Sequence, residues 1–289
     1  MFQDILVTGL VNGGVYALLA IGFSLIFGVA RIVNIAHTAF YMLASYALYG
    51  LLFKAGLPLI VAAVLAVAAV VLLSLLCYKL VIEPVRQHES AVLIATIALA
   101  LIFQESLLVS FGGSFLGIPA VVDGFTSVLG VRVSYQRLII LGVVAAALGA
   151  TWYLLKHTRL GLAIRAAAND QEIANLMGMN VNRVAMITVG ISVALAAIAG
   201  VVVAPVFVID PLMWLSPLVT MLAIVVLGGL GSLKGSLIGA FIIGYVEAIT
   251  VFAVPSGAYL KGAVALSIMV IVLLIRPEGL FGVAFEEER

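Results

Sequence analysis

The chain has 289 residues, of which 65% are hydrophobic and 9% are charged. An ordinary soluble domain is about 45–50% apolar and about 25% charged, so this composition excludes a water-soluble enzyme and a disordered chain. The 14 Lys and Arg residues nearly balance the 13 Asp and Glu residues, and this balance excludes a basic surface for nucleic acid.

Charged residues divide the chain into apolar stretches that are long enough to cross a membrane. A bilayer core of ~30 Å needs about 20 helical residues. The predicted spans are residues 5–30, 32–53, 55–78, 90–122, 138–155, 184–209, 211–233, 235–260 and 262–275. Closely set glycines and Pro217 leave a tight turn or a broken helix open between 211 and 255. We predict an all-α, polytopic transmembrane helical bundle of eight or nine spans, as a single domain over residues 1–289.

The positions of Lys and Arg predict the orientation of the bundle, because these residues concentrate in cytoplasmic loops. With nine spans and an external N-terminus, ten of the 14 basic residues, Arg289 among them, fall on the cytoplasmic side. The C-terminus is then cytoplasmic. Residues 112–136 form an external loop, and residues 156–183 form a cytoplasmic loop.

The cytoplasmic loop is the most polar stretch and predicts two short helices, at about 160–168 and 170–177. Asn169 is predicted to be the N-cap of the second helix, and Glu172 lies three residues later, as in a capping box. Gly178 fits the position that ends a helix.

One face of the second predicted helix is apolar and consists of Ile173, Leu176 and Met177. The polar edge of the pair consists of Arg165, Asn169 and Glu172. A helix pair without a core of its own needs a surface to pack on, which is either the bilayer or a protein. Helices that lie on membranes usually carry several basic residues with Trp or Phe, whereas Arg165 is the only such residue between 160 and 182. The pattern therefore favours a protein partner.

A glycine-rich segment lies across the junction of the seventh and eighth predicted spans. Its glycines are Gly228, Gly229, Gly231, Gly235 and Gly239. Small residues at every fourth position allow helices to approach closely in lipid, and they also permit a break in a helix that lines a substrate route. Both interpretations remain open at this stage.

Polar residues within apolar stretches are candidates for a translocation pathway, since such groups face protein or water rather than lipid. The candidates are Asn12, Asn34, His37, Gln104, Glu105 and Glu247. Structural hydrogen bonding or ion pairing is the alternative for each. Glu105, Glu247 and His37 would also be the ion sites of a secondary transporter, a second class of function that the sequence leaves open.

The sequence carries no motif for a disulfide, a metal site, ATP binding or catalysis. The single cysteine, Cys77, cannot form an internal disulfide, and no His or Cys spacing indicates a metal site. No phosphate-binding loop for ATP is present, and no catalytic constellation lies on a span. We therefore expect neither enzymatic activity nor a cofactor in this chain.

Four blocks resemble the permease subunits of branched-chain amino acid ABC importers. Residues 12–37 resemble the opening of that family, 161–181 its cytoplasmic coupling segment, 228–244 its late glycine-rich segment and 276–282 its usual ending. The chain departs from the pattern after His37, where the family commonly has Gly-Glu and this chain has Thr38 and Ala39. Amide, urea and aromatic-acid importers share the scaffold, so these solutes remain alternatives to branched-chain amino acids.

The resemblance implies a pore made with a second, homologous permease subunit, as a heterodimer in the lipid of the bacterial inner membrane. Two ATPase subunits would bind ATP and Mg, and a periplasmic binding protein would deliver the solute to the external side. The residues implied in coupling to the ATPases are Arg165, Asn169, Glu172, Ile173, Leu176, Met177 and Gly178.

Overall fold

The computed structural model describes residues 2–122, 124–128 and 131–282, so Arg289 lies outside the described residues. Over these ranges the helices are α1 (Phe2–Ala30), α2 (His37–Phe53), α3 (Leu59–Cys77), α4 (Glu89–Phe111), α5 (Tyr135–His157), α6 (Arg159–Asn169), α7 (Gln171–Leu176), α8 (Val181–Val203), α9 (Leu215–Gly228), α10 (Leu233–Ala253) and α11 (Lys261–Ile275). A π-helical turn (Tyr78–Ile82) and a 3-10 turn (Glu83–Val85) continue α3, and a second 3-10 turn (Gly257–Tyr259) precedes α11.

Within the described ranges, six helices are long and apolar enough to cross a membrane: α1, α3 with its continuation, α4, α5, α8 and α10. The protein is therefore a helical, polytopic membrane protein, as predicted. Helices α9 and α11 are apolar but shorter, and α2 has 17 residues. At 1.5 Å per residue, the 14 residues of α9 extend only about 21 Å.

Helix α1 lies at the centre of the bundle, where it packs against α5, α8, α9 and α10. Its contact with α10 is close because Gly13 and Gly244 meet backbone to backbone, 2.6 Å from the Cα of Gly13 to the position of a Cβ on Gly244. Helices α3, α4 and α11 keep many apolar side chains exposed, as expected for faces that lie against lipid or another membrane subunit.

The two predicted loops lie at opposite ends of the bundle. At one end, the Gln171 side chain of α7 donates a hydrogen bond to the carbonyl of Val29 at 2.7 Å, next to the end of α1. At the other end, Leu116 pairs with Ile209 as an isolated β-bridge. We call these the α7 end and the hairpin end.

Helices α4 and α8 end at Phe111 and Val203, before the predicted ends of their spans at 122 and 209. The structure also differs from the predicted elements in two further places. Residues 31–36 are not helical, and Arg31 has a φ of +53°, so α2 begins only at His37. A short antiparallel hairpin, β1 (Phe125–Val128) and β2 (Val131–Ser134), lies within the predicted external loop. Alternating apolar and polar residues in 131–134 favour a strand, a signal that the all-α prediction did not use.

Candidate functional site

The cytoplasmic loop folds into two helices, α6 and α7, as its sequence suggests. The residue predicted as N-cap of the second helix was wrong by one position, because Asn169 is the last residue of α6. Asp170 caps α7 instead, and its Oδ1 accepts hydrogen bonds from the backbone N–H groups of Glu172 (2.8 Å) and Ile173 (2.9 Å). The backbone of Asp170 is extended, so the helical conformation is interrupted between α6 and α7. Gly178 follows α7 with a φ of +83°.

The apolar face of α7 points away from the bundle. Ile173 is 59% exposed, Leu176 81% and Met177 78%, and no described part of the chain covers them. The other coupling candidates, Arg165, Asn169, Glu172 and Gly178, are exposed as well. Ile164, Ala167 and Ala174 occupy the opposite face and are buried against the bundle. The helix pair therefore packs on the bundle through one face, and the face that carries Ile173, Leu176 and Met177 remains exposed.

Arg86 ties this helix pair to the rest of the α7 end. Its guanidinium donates to Gln171 Oε1 of α7 and to Asn182 Oδ1 of α8, both at 3.0 Å. Gln171 in turn bonds the end of α1. These contacts border an open polar cleft of about 700 Å³ between α7 and residues 83–89. Neither Arg86 nor Gln171 was predicted from the sequence, where the only signal was a basic residue in a short inner loop.

The glycine-rich segment forms the turn between α9 and α10. Gly228 and Gly235 touch so closely that a Cβ on either would overlap the backbone of the other. Gly229 and Gly231 lie in the turn with φ values of +96° and +81°, whereas Gly239 lies on α10 beside the Ile224 carbonyl. Gly231 is thus not part of a continuous helical stripe with Gly235 and Gly239, since the helix begins only at Leu233.

Residues 280 and 281 complete this turn. The N–H groups of Leu280 and Phe281 donate to the carbonyls of Leu227 and Gly228 at 2.8 and 3.0 Å. These carbonyls belong to the last turn of α9, where the helix itself provides no donor.

The pathway candidates lie in three separate places. In the first, Glu247 of α10 is buried and accepts two hydroxyl hydrogen bonds, from Tyr16 of α1 (2.7 Å) and from Thr220 of α9 (3.3 Å). Tyr16 also lines a cavity together with the predicted Asn12. The structure therefore brings Asn12 and Glu247 into one region.

The second place is the start of α2. Asn34 and His37 are buried there, and the His37 ring lies against Phe23, with 6.3 Å between ring centroids, and beside the Leu19 backbone. A Cβ on Gly22 would lie 3.0 Å from the His37 ring. The contact fits a glycine because a larger residue would displace the ring.

The third place is α4 near the hairpin end. Trp214 donates its indole N–H to Gln104 Oε1 at 2.9 Å, and Gln104 donates to Glu105 Oε1 at 3.2 Å. Glu105 is exposed on the surface of this chain, unlike Glu247. Among the described residues, no group of three or more His, Cys, Asp or Glu side chains is placed to hold a metal ion.

The cavity beside Asn12 measures about 200 Å³ and opens towards the hairpin end, where the residues before α9 line it. Its polar lining is Asn12, Tyr16, Tyr41, Ser216 and Lys261, and its apolar lining includes Val11, Val15, Ile140, Val203 and Met213. Of these residues, only Asn12 was a candidate from the sequence. Lys261 carried a signal, since it is a charged residue between two apolar stretches.

Comparison with known proteins identifies the family. Residues 5–273 match the family described as "Branched-chain amino acid transport system / permease component". The chain belongs to this family. Membership agrees with the resemblance seen in the sequence, and the chain is a permease component of this class.

Relatives of this permease match along almost the whole chain. The high-affinity branched-chain amino acid transport system permease protein BraD of Pseudomonas aeruginosa is 32% identical, covering 96% of this chain and 94% of that protein. The corresponding protein LivH of Escherichia coli is 30% identical, covering 97% and 96%. The ribose import permease protein RbsC of E. coli is 36% identical over only 34% of this chain and 33% of its own length.

A solved structure shares the fold. A chain in the structure of PsaBC from Streptococcus pneumoniae in complex with Fab aligns with a TM-score of 0.51 and 21% identity. The alignment covers 96% of this permease and 92% of that chain. The likeness extends over the whole bundle.

Proposed function

We propose that this permease forms half of the translocation pore of an ABC importer for branched-chain and other hydrophobic amino acids in the bacterial inner membrane. The full-length similarity to BraD and LivH supports the substrate class. The exposed apolar face of Ile173, Leu176 and Met177 carries the proposal, since a chain without an ATP site needs a surface that receives the motion of an ATPase.

The topology that we propose has nine spans, a periplasmic N-terminus and a cytoplasmic C-terminus. Helices α2, α9 and α11 would cross together with the six longer helices, helped by the non-helical segments that flank α2 and α9. Residues 156–183 would then be cytoplasmic, and residues 112–136 periplasmic. The distribution of Lys and Arg supports this orientation.

Two ATPase subunits would bind ATP and Mg and dock on α7. Their closure would push on a rigid element, because Arg86 and Gln171 tie α7 to α1 and α8. A push on α7 would therefore reach the central helix of the bundle directly. The two pore states would interconvert as the ATPases close and open.

A second, homologous permease subunit would complete the pore as a heterodimer, and a periplasmic binding protein would deliver the solute at the hairpin end. Amides, urea and aromatic acids are the alternative solutes, because Thr38 and Ala39 depart from the family pattern. An ion-coupled transporter is less favoured, since Glu247 is already engaged by two hydroxyl groups and Glu105 is exposed.

Two measurements test this function. The first is binding-protein-dependent uptake of labelled leucine by proteoliposomes that contain both permeases and the ATPases, with ATP inside or absent. Uptake without ATP, driven by an ion gradient alone, would support the secondary transporter instead.

The second measurement is cysteine labelling in a Cys77→Ser background. Asn175→Cys should react with an impermeant thiol reagent only from the cytoplasmic side and Ser114→Cys only from the periplasmic side, as both positions are exposed. Reaction of Asn175→Cys from the periplasm would show that the chain has the opposite orientation to the one proposed.

A further inference from the structure

The cavity between Asn12 and Lys261 lies inside this one chain. Four helices contribute its polar lining: α1 provides Asn12 and Tyr16, α2 Tyr41, α9 Ser216 and α11 Lys261. Liquid water occupies about 30 Å³ per molecule, so roughly 200 Å³ suits a small organic molecule rather than a peptide. No such site was predicted from the sequence.

One side of the cavity is positive. Lys261 is its only lysine or arginine and is also the first residue of α11, so its ammonium group lies at the positive end of a 15-residue helix dipole. A carboxylate is the ligand group that both charges favour.

The side formed by Tyr16 and Asn12 offers hydrogen-bond acceptors. Tyr16 donates its hydroxyl hydrogen to Glu247, so the lone pairs of its oxygen remain available to a ligand that donates. Asn12 adds an amide oxygen on the same helix, one turn away. An ammonium group fits these acceptors, with the Glu247 carboxyl group behind Tyr16.

The remaining wall is apolar and branched. Val11, Val15, Ile140 and Val203 line it, and Ile140 and Val203 are almost completely buried. An aliphatic side chain that enters this part of the cavity leaves water without losing any hydrogen bond. The cavity thus combines a cation, a set of acceptors and an aliphatic wall.

We propose that this cavity is a binding site for a free α-amino acid with an aliphatic side chain, held with its carboxylate at Lys261 and its ammonium group at Tyr16 and Asn12. The proposal rests on the proposed function and deepens it, because it places a solute site within one permease subunit. The solute would occupy it between release from the binding protein and passage through the pore.

Cysteine protection tests the site without the binding protein. Ser216→Cys in a Cys77→Ser background places a thiol at the exposed rim of the cavity. Its reaction with a small charged thiosulfonate is measured in the purified complex with leucine, with 4-methylpentanoate, which lacks the amino group, or with 3-methylbutylamine, which lacks the carboxylate. Leucine should slow the reaction at least tenfold more than either analogue. Equal protection by 4-methylpentanoate, or no protection by leucine, would overturn the assignment.

Charge removal provides the second arm. Lys261→Met should abolish leucine protection and lower leucine uptake at least tenfold, and Lys261→Arg should restore part of both. Lys54→Met is the matched control, since Lys54 also lies at the hairpin end but stacks on the Phe111 ring at 4.0 Å, away from the cavity. Equal leucine protection and equal leucine uptake in Lys261→Met and Lys54→Met would overturn the assignment of the site.

The two arms separate this site from the proposed function. If the wild-type assembly shows no ATP-dependent uptake of leucine, the proposed function fails. If uptake is present but leucine does not protect Ser216→Cys, only the site fails.

Discussion

Gly235 at the start of α10 faces the carbonyl group of Gly228 at the end of α9, with no room for a Cβ on either residue. The contact lets the chain reverse within the four residues between the helices. It therefore sets how closely α9 and α10 pack at the α7 end.

The first prediction follows from this contact. Gly235→Ala should destabilise the protein by about 1–3 kcal/mol, the usual cost of overpacking, since the obstructing atoms are backbone. The measurement is the midpoint of thermal unfolding in detergent. Gly149→Ala is the control because nothing lies within 4 Å of its Cβ, and a helical alanine gains up to about 1 kcal/mol there. Equal midpoints for the two variants would show that α9 and α10 can separate freely.

The second prediction compares the two carboxylates of the apolar stretches. Glu247→Ala leaves the hydroxyls of Tyr16 and Thr220 without their acceptor, which should cost about 1–3 kcal/mol of folding free energy. Glu105→Ala should change it by no more than about 0.5 kcal/mol, since Glu105 is exposed. Thermal unfolding in detergent measures both. A larger loss from Glu105→Ala would mean that another subunit covers α4 in the measured sample.

The third prediction concerns Leu176, the most exposed residue of the apolar face of α7. Leu176→Asp would place an unpaired charge at a docked ATPase surface, which costs several kcal/mol and weakens a contact by about a thousandfold. We expect normal membrane insertion but loss of the ATPases on purification.

Leu230→Asp is the matched control for this change. Leu230 is also exposed at the α7 end but belongs to the turn before α10. Retention of the ATPases by Leu176→Asp at wild-type stoichiometry would defeat the assignment of α7 as the coupling helix.

The fourth prediction concerns the hydrogen bond from Trp214 to Gln104, which holds the segment before α9 against α4. Trp214→Phe removes the donor, so we expect a loss of about 0.5–1.5 kcal/mol and faster amide hydrogen exchange in residues 204–214. Trp152→Phe serves as the control, since Trp152 is 59% exposed. Unchanged exchange in Trp214→Phe would show that other contacts hold the segment.

The sequence predicted most of what depends on local pattern. The apolar stretches identified the helices, and the positions of Asn169, Glu172 and Gly178 place the two short helices to within two residues, although the observed cap is Asp170. The start of α2 was not predicted, since Asn34 is the only polar residue between 32 and 36 and the stretch is otherwise apolar. In the structure α1 ends at Ala30, and Arg31 has a φ of +53°.

The candidate site was predicted less completely. Asn12 and Glu247 stood out as polar residues in apolar stretches, but Glu247 bonds Tyr16 from the other end of the chain, and Asn12 shares its cavity with the distant Lys261. Tyrosine is common in membrane helices, so Tyr16 gave no signal. A cavity depends on which helices pack together, and hydropathy does not determine helix pairing.

The bonds from Leu280 and Phe281 to the end of α9 have a consequence for the order in which the protein is made. The donors follow their acceptors by about fifty residues, so at roughly 5–20 residues per second they leave the ribosome several seconds after α9. During that interval the last carbonyls of α9 depend on water or on the insertion machinery for their hydrogen bonds. Closure of the α9–α10 turn by residues 280 and 281 is therefore a late event in biogenesis, after α10 and α11 have been synthesised.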